Sequence, residues 1–422
     1  MAYYHRKHEI VMMSGSTPYK DSVLEEIDAS KDRIVRVSET IHSYAEVGTK
    51  EFKSSKLLCD ELEAHGFKVE RGVAQIPTAF KATLKGKPGP TVAFLAEYDA
   101  LPGMGHGCGH NIIGTSATFA AIALSKIMRG LHGTIMVFGT PDEEGDGGKI
   151  PMLERGAFQR VDAVIENHPS LKNGAWWPTV ALGDLNVELQ GKEAHYATPQ
   201  KGASALDAAI AVLTTLNVIR HGFRPDVIFG YTLSCDAVTP IIVPGSARMR
   251  IAFKATDIAY LKEVSEKIKI CIEGITKSLD VTAKVVDSFD RNLCFEESIP
   301  NMALINTVDS NFKALKVETE DPMETARFRS FFSTDYGNVS RRIPGVNFGI
   351  AVAKEGTSLH TPDFVKAAIS PKGHEASLTA TKVMAMTALD LFTDPEILKK
   401  AKDEFDRYKS SNFTNLPLLP LF

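Results

Sequence analysis

The sequence predicts an α/β protein: a mostly parallel sheet with helices on its faces, interrupted by a compact inserted α+β module. Three observations lead there. From about Gly66 to Trp177, short apolar runs alternate with helix-compatible stretches, the texture of a parallel sheet wrapped by helices. Three of those runs end in polar residues of the kind that build sites: Glu97, Tyr98 and Asp99; Glu143 and Glu144; and His168. From Thr179 to about Val286 the order becomes strand, helix, strand, helix, strand, after which the first texture resumes. A chain of 422 residues is long for one ordinary domain and suits two, with enough core to need no staples.

Taken in order, the opening "MAYYHRKHEIVMMSGS" carries charge and only a very short apolar stretch, so it reads as a loose leader rather than a targeting device. Its His5 and His8 have no evident chemistry. Residues from about Lys20 to Gly66 predict helix, because Leu24, Ile27, Ile34, Val37 and Ile41 recur at helical spacing. Val92 to Ala96 predicts a buried strand that ends at Glu97, Tyr98 and Asp99. "GTIMVFGTP" brings Glu143 and Glu144 to the end of a second strand, and "VDAVIENHPS" brings His168 to the end of a third. In open α/β sheets that edge is where sites are assembled.

The inserted module reads as strand "LGDLNVELQG", helix "GASALDAAIAVLTTLNVIRH", strand "IIVPGSARMRIAFKAT", helix "DIAYLKEVSEKIKICIEGITKSL" and strand "DVTAKVVDS". A helix from Asn301 to Phe312, the polar stretch "FFSTDYGNVS", a strand at "VNFGIAV", "SLHTPDF" and a closing helix from about Ser370 to Leu391 follow. The boundaries expected are 20–178 and 293–395 for the two parts of the larger domain, 179–292 for the insert, and 396–422 for a charged helix with a Pro/Leu tail. Trp176 and Trp177 fall at the hinge to the insert, where packing between domains is expected.

Composition narrows the partners. Hydrophobic residues make up 44%, charged residues 24%, the net charge is −4 and the pI about 6.3. No basic surface recommends nucleic acid or an anionic membrane, so small molecules are the expected partners. No spanning segment is visible in the sequence. Five cysteines, at 59, 108, 235, 271 and 294, are odd in number and lack framework spacing, which points to a reducing compartment, hence the cytoplasm, rather than disulfides.

The chemistry is concentrated in two short stretches. Cys108 and His110 in "HGCGHN" have the i, i+2 spacing of two ligands on one metal, and "GTPDEEGDGG" supplies the adjacent Glu143 and Glu144. A metal-bound water needs carboxylate, imidazole or thiolate ligands plus a separate carboxylate to take its proton, and these residues supply both. Each pair alone is more often a solvated acidic turn or a glycine-flanked bend than a site. Their placement at successive strand ends favours a site. A zinc deaminase would require C-x-x-C, which the chain lacks, and no G-x-S-x-G elbow offers a serine nucleophile.

"EYDALPGMGHGCGHN", "GTPDEEGDGG", "NHPS", "GKEAHYATPQKGASALDAA", "STDYGNVS" and "SLHTPDF", in that order, resemble the aminoacylase/carboxypeptidase superfamily of dinuclear metal amidohydrolases. Within it they are most similar to the branch with p-aminobenzoyl-glutamate hydrolase, the auxin-conjugate amidohydrolases and the β-alanyl dipeptidases. The resemblance runs from about residue 30 to 390. It implies a metallopeptidase catalytic domain carrying a ferredoxin-like lid and dimerisation domain, hinged near residues 177 and 290 and closing over the substrate. It further implies that Cys108, His110, Glu144, His168 and His360 ligate two divalent ions, zinc by first choice and manganese as the alternative. Glu143 becomes the general base and acid, and Asp99 steadies a ligand from behind. Glu97 is either a similar support or exposed.

His195 in the insert, by the same resemblance, reaches an active site of the neighbouring subunit and donates to the oxyanion, which implies a homodimer through the insert. The implied substrate is a small N-acyl amino acid, dipeptide or conjugate. Lys254, Asp335 and Asn338 fall where the family lines its substrate pocket. Two departures bear on specificity: Ile241 replaces an asparagine, and Lys254 an arginine, that together hold a substrate carboxylate in relatives. A lysine attracts a carboxylate without the bidentate fork of arginine, and isoleucine donates nothing. Arg248, Arg250, Arg327 and Arg329 are the candidates to substitute, and the alternatives are an amidase for substrates without a free carboxylate or a binding protein on the same fold. His106, His132, His221 and His374 are expected to be surface or local structural residues, with His106 standing nearest the motif.

Overall fold

The computed structural model describes residues 17–322 and 331–411. Helical spacing of apolar residues shapes the N-terminal layer. Helix α1 (Thr17–Ala29) buries Val23 and Ile27, α2 (Lys31–Tyr44) buries Ile34, Val37 and Ile41, and α3 (Phe52–Ala64) buries Leu58, Cys59 and Leu62. The sheet that follows takes β1 (Lys68–Arg71), β2 (Phe80–Lys85), β3 (Lys87–Ala96), β4 (His132–Gly139) and β5 (Ala163–Ser170), with α4 (His110–Ser125) and α5 (Lys149–Glu154) between them. Its sixth strand, Gly345–Ala351, arrives after the insert.

Strand order is β1-β2-β4-β3-β5 and then Gly345–Ala351. The pairs from β4 onward are parallel, while β1 and β2 form an antiparallel edge. The parallel strands carry largely buried apolar runs, Val92–Ala96 in β3, Ile135–Phe138 in β4 and Ala163–Ile165 in β5, as strands covered on both faces must. Helix α4 is buried from His110 to Leu124 because it lies between the sheet, α1, α2 and the long helix Pro371–Thr393. The sequence did not announce β1 and β2. Lys68–Arg71 is mostly exposed and carries no apolar run, so its strand geometry is imposed by its partner.

The insert has its own core. Its strands are β6 (Ala181–Gln190), the short β7 (Ala194–His195), β8 (Ile228–Cys235), the short β9 (Ile242–Val243), β10 (Ser246–Ala255) and β11 (Thr282–Asp287), with helices α6 (Ala205–Ile219) and α7 (Ile258–Ser278). The antiparallel sheet runs β11-β6-β10-β8. Ser204 and Asp257 cap α6 and α7 by accepting the N–H of Asp207 and Tyr260. In β10, Ala247, Met249, Ile251 and Phe253 face the helices, while Arg248, Arg250 and Lys254 occupy the opposite face. Strand β8 was not read from the sequence: it is the edge strand, with Tyr231 and Leu233 exposed and no buried alternation to betray it. Among the described residues no helix is long and apolar enough to cross a membrane.

Candidate metal centre

Four segments deliver the site to the C-terminal edge of the parallel strands. β3 runs into Glu97 and Asp99, β4 into Glu143 and Glu144, and β5 carries His168; Cys108 and His110 sit at the start of α4. Gly109, between them, has φ +79°, and a Cβ there would stand 2.8 Å from the Pro169 ring. Only glycine allows that turn, which points the thiol and the imidazole the same way. His360 also adopts a positive φ, 58°, and its N–H donates to Gly107 O at 2.9 Å, pinning this last loop to the cysteine loop.

His110 is the centre of the arrangement. Its Nδ1 lies 2.9 Å from Asp99 Oδ1, and Asp99 Oδ2 accepts the Glu144 N–H at 2.9 Å. A carboxylate can only accept, so Nδ1 carries the proton and Nε2 is left as the coordinating nitrogen. Around Nε2 stand Glu97 Oε2 at 3.4 Å, Glu143 Oε2 at 3.7 Å and Glu144 Oε1 at 4.0 Å. His168 Nδ1–H donates to Pro169 O at 2.8 Å, and its Nε2 is 3.5 Å from Cys108 Sγ. Glu144 Oε1 lies 3.5 Å from His360 Nε2, on a half-exposed side chain.

Three sets of donors therefore converge: Cys108, His110 and His168; Cys108, Glu144 and His360; and Glu97, His110 and Glu143. His110 Nε2, Glu97 Oε2 and Glu144 Oε1 are buried without a hydrogen-bond partner, a state that costs free energy unless a cation answers it. Thiol, imidazole and carboxylate together are a donor set for zinc or a similar divalent ion, and the residues fit one.

Electrostatics separate the two glutamates. Burial, reinforced by the charges of Glu97 and Glu144, pushes the Glu143 carboxyl well above its ordinary range. Burial also opposes ionisation of Glu144, but the His360 imidazole beside it, with those of His110 and His168, wins and holds it below. The Cys108 thiol is pushed up by burial and by Glu144, and burial keeps His168 neutral, down to about 4. Beneath the site Lys149, fully buried, contacts Glu97, holds Asp335 Oδ1 at 2.6 Å and lies 3.6 Å from Glu166. Burial alone would raise Glu97, but Lys149, then His110 and His168, bring it down to about 2. Sequence reading missed Lys149; the lysine in "GDGGKIP", directly after the acidic pair, was the only signal.

Several expectations need correction. Asp335 and Asn338 are engaged with the surrounding chain: Asp335 is consumed by Lys149, accepting its N–H at 2.8 Å as well as its ammonium. Asn338 accepts from Glu296 N at 3.1 Å and donates to Cys294 O at 3.0 Å. Trp177 stacks on the His168 ring at 3.8 Å and 7°, with Phe332 stacked beyond it at 5.3 Å, so it faces a site imidazole rather than merely filling a hinge. Glu97 is buried, not exposed.

Lys254 donates to Phe331 O at 2.8 Å; burial lowers its pKa and the attraction of Glu143 opposes that shift. Ile241 is exposed beside β7 and β9, where its carbonyl accepts the Tyr196 N–H. Arg250 is paired with Asp184 at 2.8 Å, Arg248 is exposed, and Arg327 and Arg329 lie outside the described residues, as do His5, His8 and the Pro/Leu tail. His195 is exposed on β7 and is not among the converging donors. His106 is buried with Nε2 on Ile41 O, His132 contacts Pro88 O, His221 is exposed and His374 pairs with Glu39, all local roles.

A mixed, largely parallel sheet with a thiol, imidazoles and carboxylates at its C-terminal edge, plus a βαββαβ insert, defines a metal-dependent hydrolase class. Comparison gives the family. The model of peptidase family M20/M25/M40 matches residues 93–382, and the chain belongs to that family of metal-dependent peptidases and amidohydrolases acting on dipeptides and acyl-amino-acid conjugates. It is 32% identical to Xaa-Arg dipeptidase of Mus musculus, over 92% of both chains. It is 28% identical to a chain of the p-aminobenzoyl-glutamate hydrolase of Escherichia coli, covering 93% of this protein and 96% of the relative. A dinuclear metal-binding M20 peptidase from Bacillus subtilis shares the fold with a TM-score of 0.63 at 18% identity, covering 86% of this chain and 99% of the other. The resemblance read from the motifs holds.

Proposed function

We propose that this chain cleaves the amide bond of a dipeptide, N-acyl amino acid or amino-acid conjugate, using two divalent ions held by Cys108, His110, Glu144, His168 and His360. The observation that carries this reading is the convergence of donor sets sharing Cys108 and His110 beside a protonation-prone Glu143. When bound, the ions would polarise the scissile carbonyl and acidify the attacking water. Glu143 takes that water's proton and hands it to the departing amine, its Oε2 standing 3.7 Å from His110 Nε2. Asp99 fixes the His110 tautomer, and Pro169 O fixes that of His168. Zinc is favoured by the thiolate, with manganese the alternative.

Lys254 is proposed to attract the substrate's free carboxylate. His195 is proposed to act across a two-fold dimer made through the exposed β8 edge, in keeping with its tautomer: its Nδ1 accepts the Ala197 N–H at 3.0 Å, leaving Nε2–H as a donor. The insert, residues 179–292, serves as lid and dimerisation unit hinged near 177 and 290. The five free cysteines suit a reducing, cytoplasmic setting.

The test is hydrolysis by metal-reconstituted protein of dipeptides, N-acyl amino acids and their carboxyamide counterparts. Glu143→Ala is expected to lower kcat by roughly 100-fold or more with metal content retained. Lys254→Ala is expected to raise KM for free-carboxylate substrates roughly tenfold and leave carboxyamides unchanged. Full turnover in the Glu143 variant would overturn the mechanism, and equal KM changes for both substrate kinds would overturn the role of Lys254.

A further inference from the structure

We infer that Glu97 is itself a ligand, through Oε2, of the ion carried by His110 Nε2, and that Lys149 is the residue that aims it; the inference rests on the two-ion reading above. Glu97 and Asp99 are two apart on the extended segment leaving β3, so their side chains project to the same side, one toward each ring nitrogen of His110. Asp99 takes the Nδ1 proton. Glu97 therefore confronts a nitrogen lone pair with a carboxylate lone pair, and both atoms are buried with no hydrogen-bond partner. Two lone pairs in this position call for a cation between them.

The spacing agrees. Two donors about 2.0–2.1 Å from one tetrahedral ion are roughly 3.3–3.4 Å apart, and Glu97 Oε2 is 3.4 Å from His110 Nε2. The carboxylate cannot swing away, because its other oxygen is gripped by Lys149, which Asp335 anchors from the far side. A sphere that takes Glu97 with His110 has no thiolate from its own group and is harder than the one that takes Cys108 with Glu144 and His360. The two positions should therefore differ in metal preference, manganese gaining ground at the first and zinc at the second.

The experiment compares wild type, Glu97→Gln and Asp99→Asn, all purified as full chains and reloaded with zinc, manganese or cobalt(II). Metal per chain is read by elemental analysis, and coordination by cobalt absorption and X-ray absorption. Glu97→Gln is expected to keep one ion at wild-type affinity, bind the other at least tenfold more weakly, lose an oxygen scatterer and change the cobalt band. Asp99→Asn, which acts from behind through the His110 ring and the Glu144 N–H, is expected to weaken binding with the wild-type cobalt band preserved. Two ions per chain with an unchanged cobalt band in Glu97→Gln would overturn the inference. Should that variant fail to fold, anomalous diffraction from metal-loaded wild-type crystals decides: an ion within bonding distance of Glu97 Oε2 supports it, and one beyond about 3 Å overturns it. Wild type that binds fewer than two ions would instead defeat the two-ion reading itself.

Discussion

At the scale of the residue, the Trp177 indole lies flat on His168 while Pro169 O holds the ring's Nδ1–H, so the imidazole is fixed in plane and in tautomer before any ligand arrives. Trp177→Ala should lower metal affinity roughly 10–100-fold, as loss of a supporting partner does. It should also cost about 3–5 kcal/mol of stability, the usual range for truncating a buried aromatic. Trp177→Phe should restore most of the affinity. Competition titration against a chelator together with urea melts separates the two effects, and a wild-type affinity in the alanine variant would show the stack to be incidental. The sequence exposed Cys108, His110, Glu143, Glu144 and His168 because polar residues at the ends of apolar runs stand out. Trp177 and Lys149 stayed hidden. A tryptophan between elements or a lysine at the start of a short helix has no pattern of its own, and what makes these two matter is the company of residues far away in the chain.

At the scale of the element, Glu297 joins the insert to the larger sheet by accepting the first N–H of α7, at Ile258, and by pairing with Arg341. Burial pushes its carboxyl up to about 7 although Arg341 pulls the other way. Below pH 4.5 the group is protonated in folded and unfolded chains alike. Between there and about pH 7 the folded chain keeps a proton that the unfolded chain releases, so stability falls as pH rises, by up to about 3 kcal/mol, and levels off above. Glu297→Gln should flatten that stretch of the profile; urea melts at pH 5 and 8 with the same slope in both proteins would contradict it. Strand β8 was illegible for a related reason: at a sheet edge neither face is buried, so the period-two signal that marks a strand is absent. Strands β3, β4 and β5 were legible as apolar runs because both their faces are covered.

At the scale of the whole molecule, the exposed β8 edge carries Tyr231 and Leu233 in a row of open backbone groups, a surface that association would cover. Leu233→Lys should convert a dimer to monomers in sedimentation and lower kcat by the same factor as His195→Ala. Mixed dimers of Glu143→Ala and His195→Ala chains, each inactive alone, should regain one working site, since the intact glutamate then meets the intact histidine of the other protomer. Absence of recovery after confirmed exchange would place His195 outside the neighbour's site.

The split of the larger sheet around the insert has a consequence for synthesis. Strand β5 pairs in parallel with Gly345–Ala351, register Val164 to Gly345, and Lys149 waits for Asp335, so the sheet acquires its last strand and Lys149 its Asp335 partner only after the entire insert has left the ribosome. The insert, by contrast, is contiguous in sequence and owns its core. It can therefore mature first, as a finished unit hanging from an unfinished one, and the emerging chain passes through a stage at which Lys149 still lacks Asp335, the carboxylate that accepts both its ammonium and its N–H.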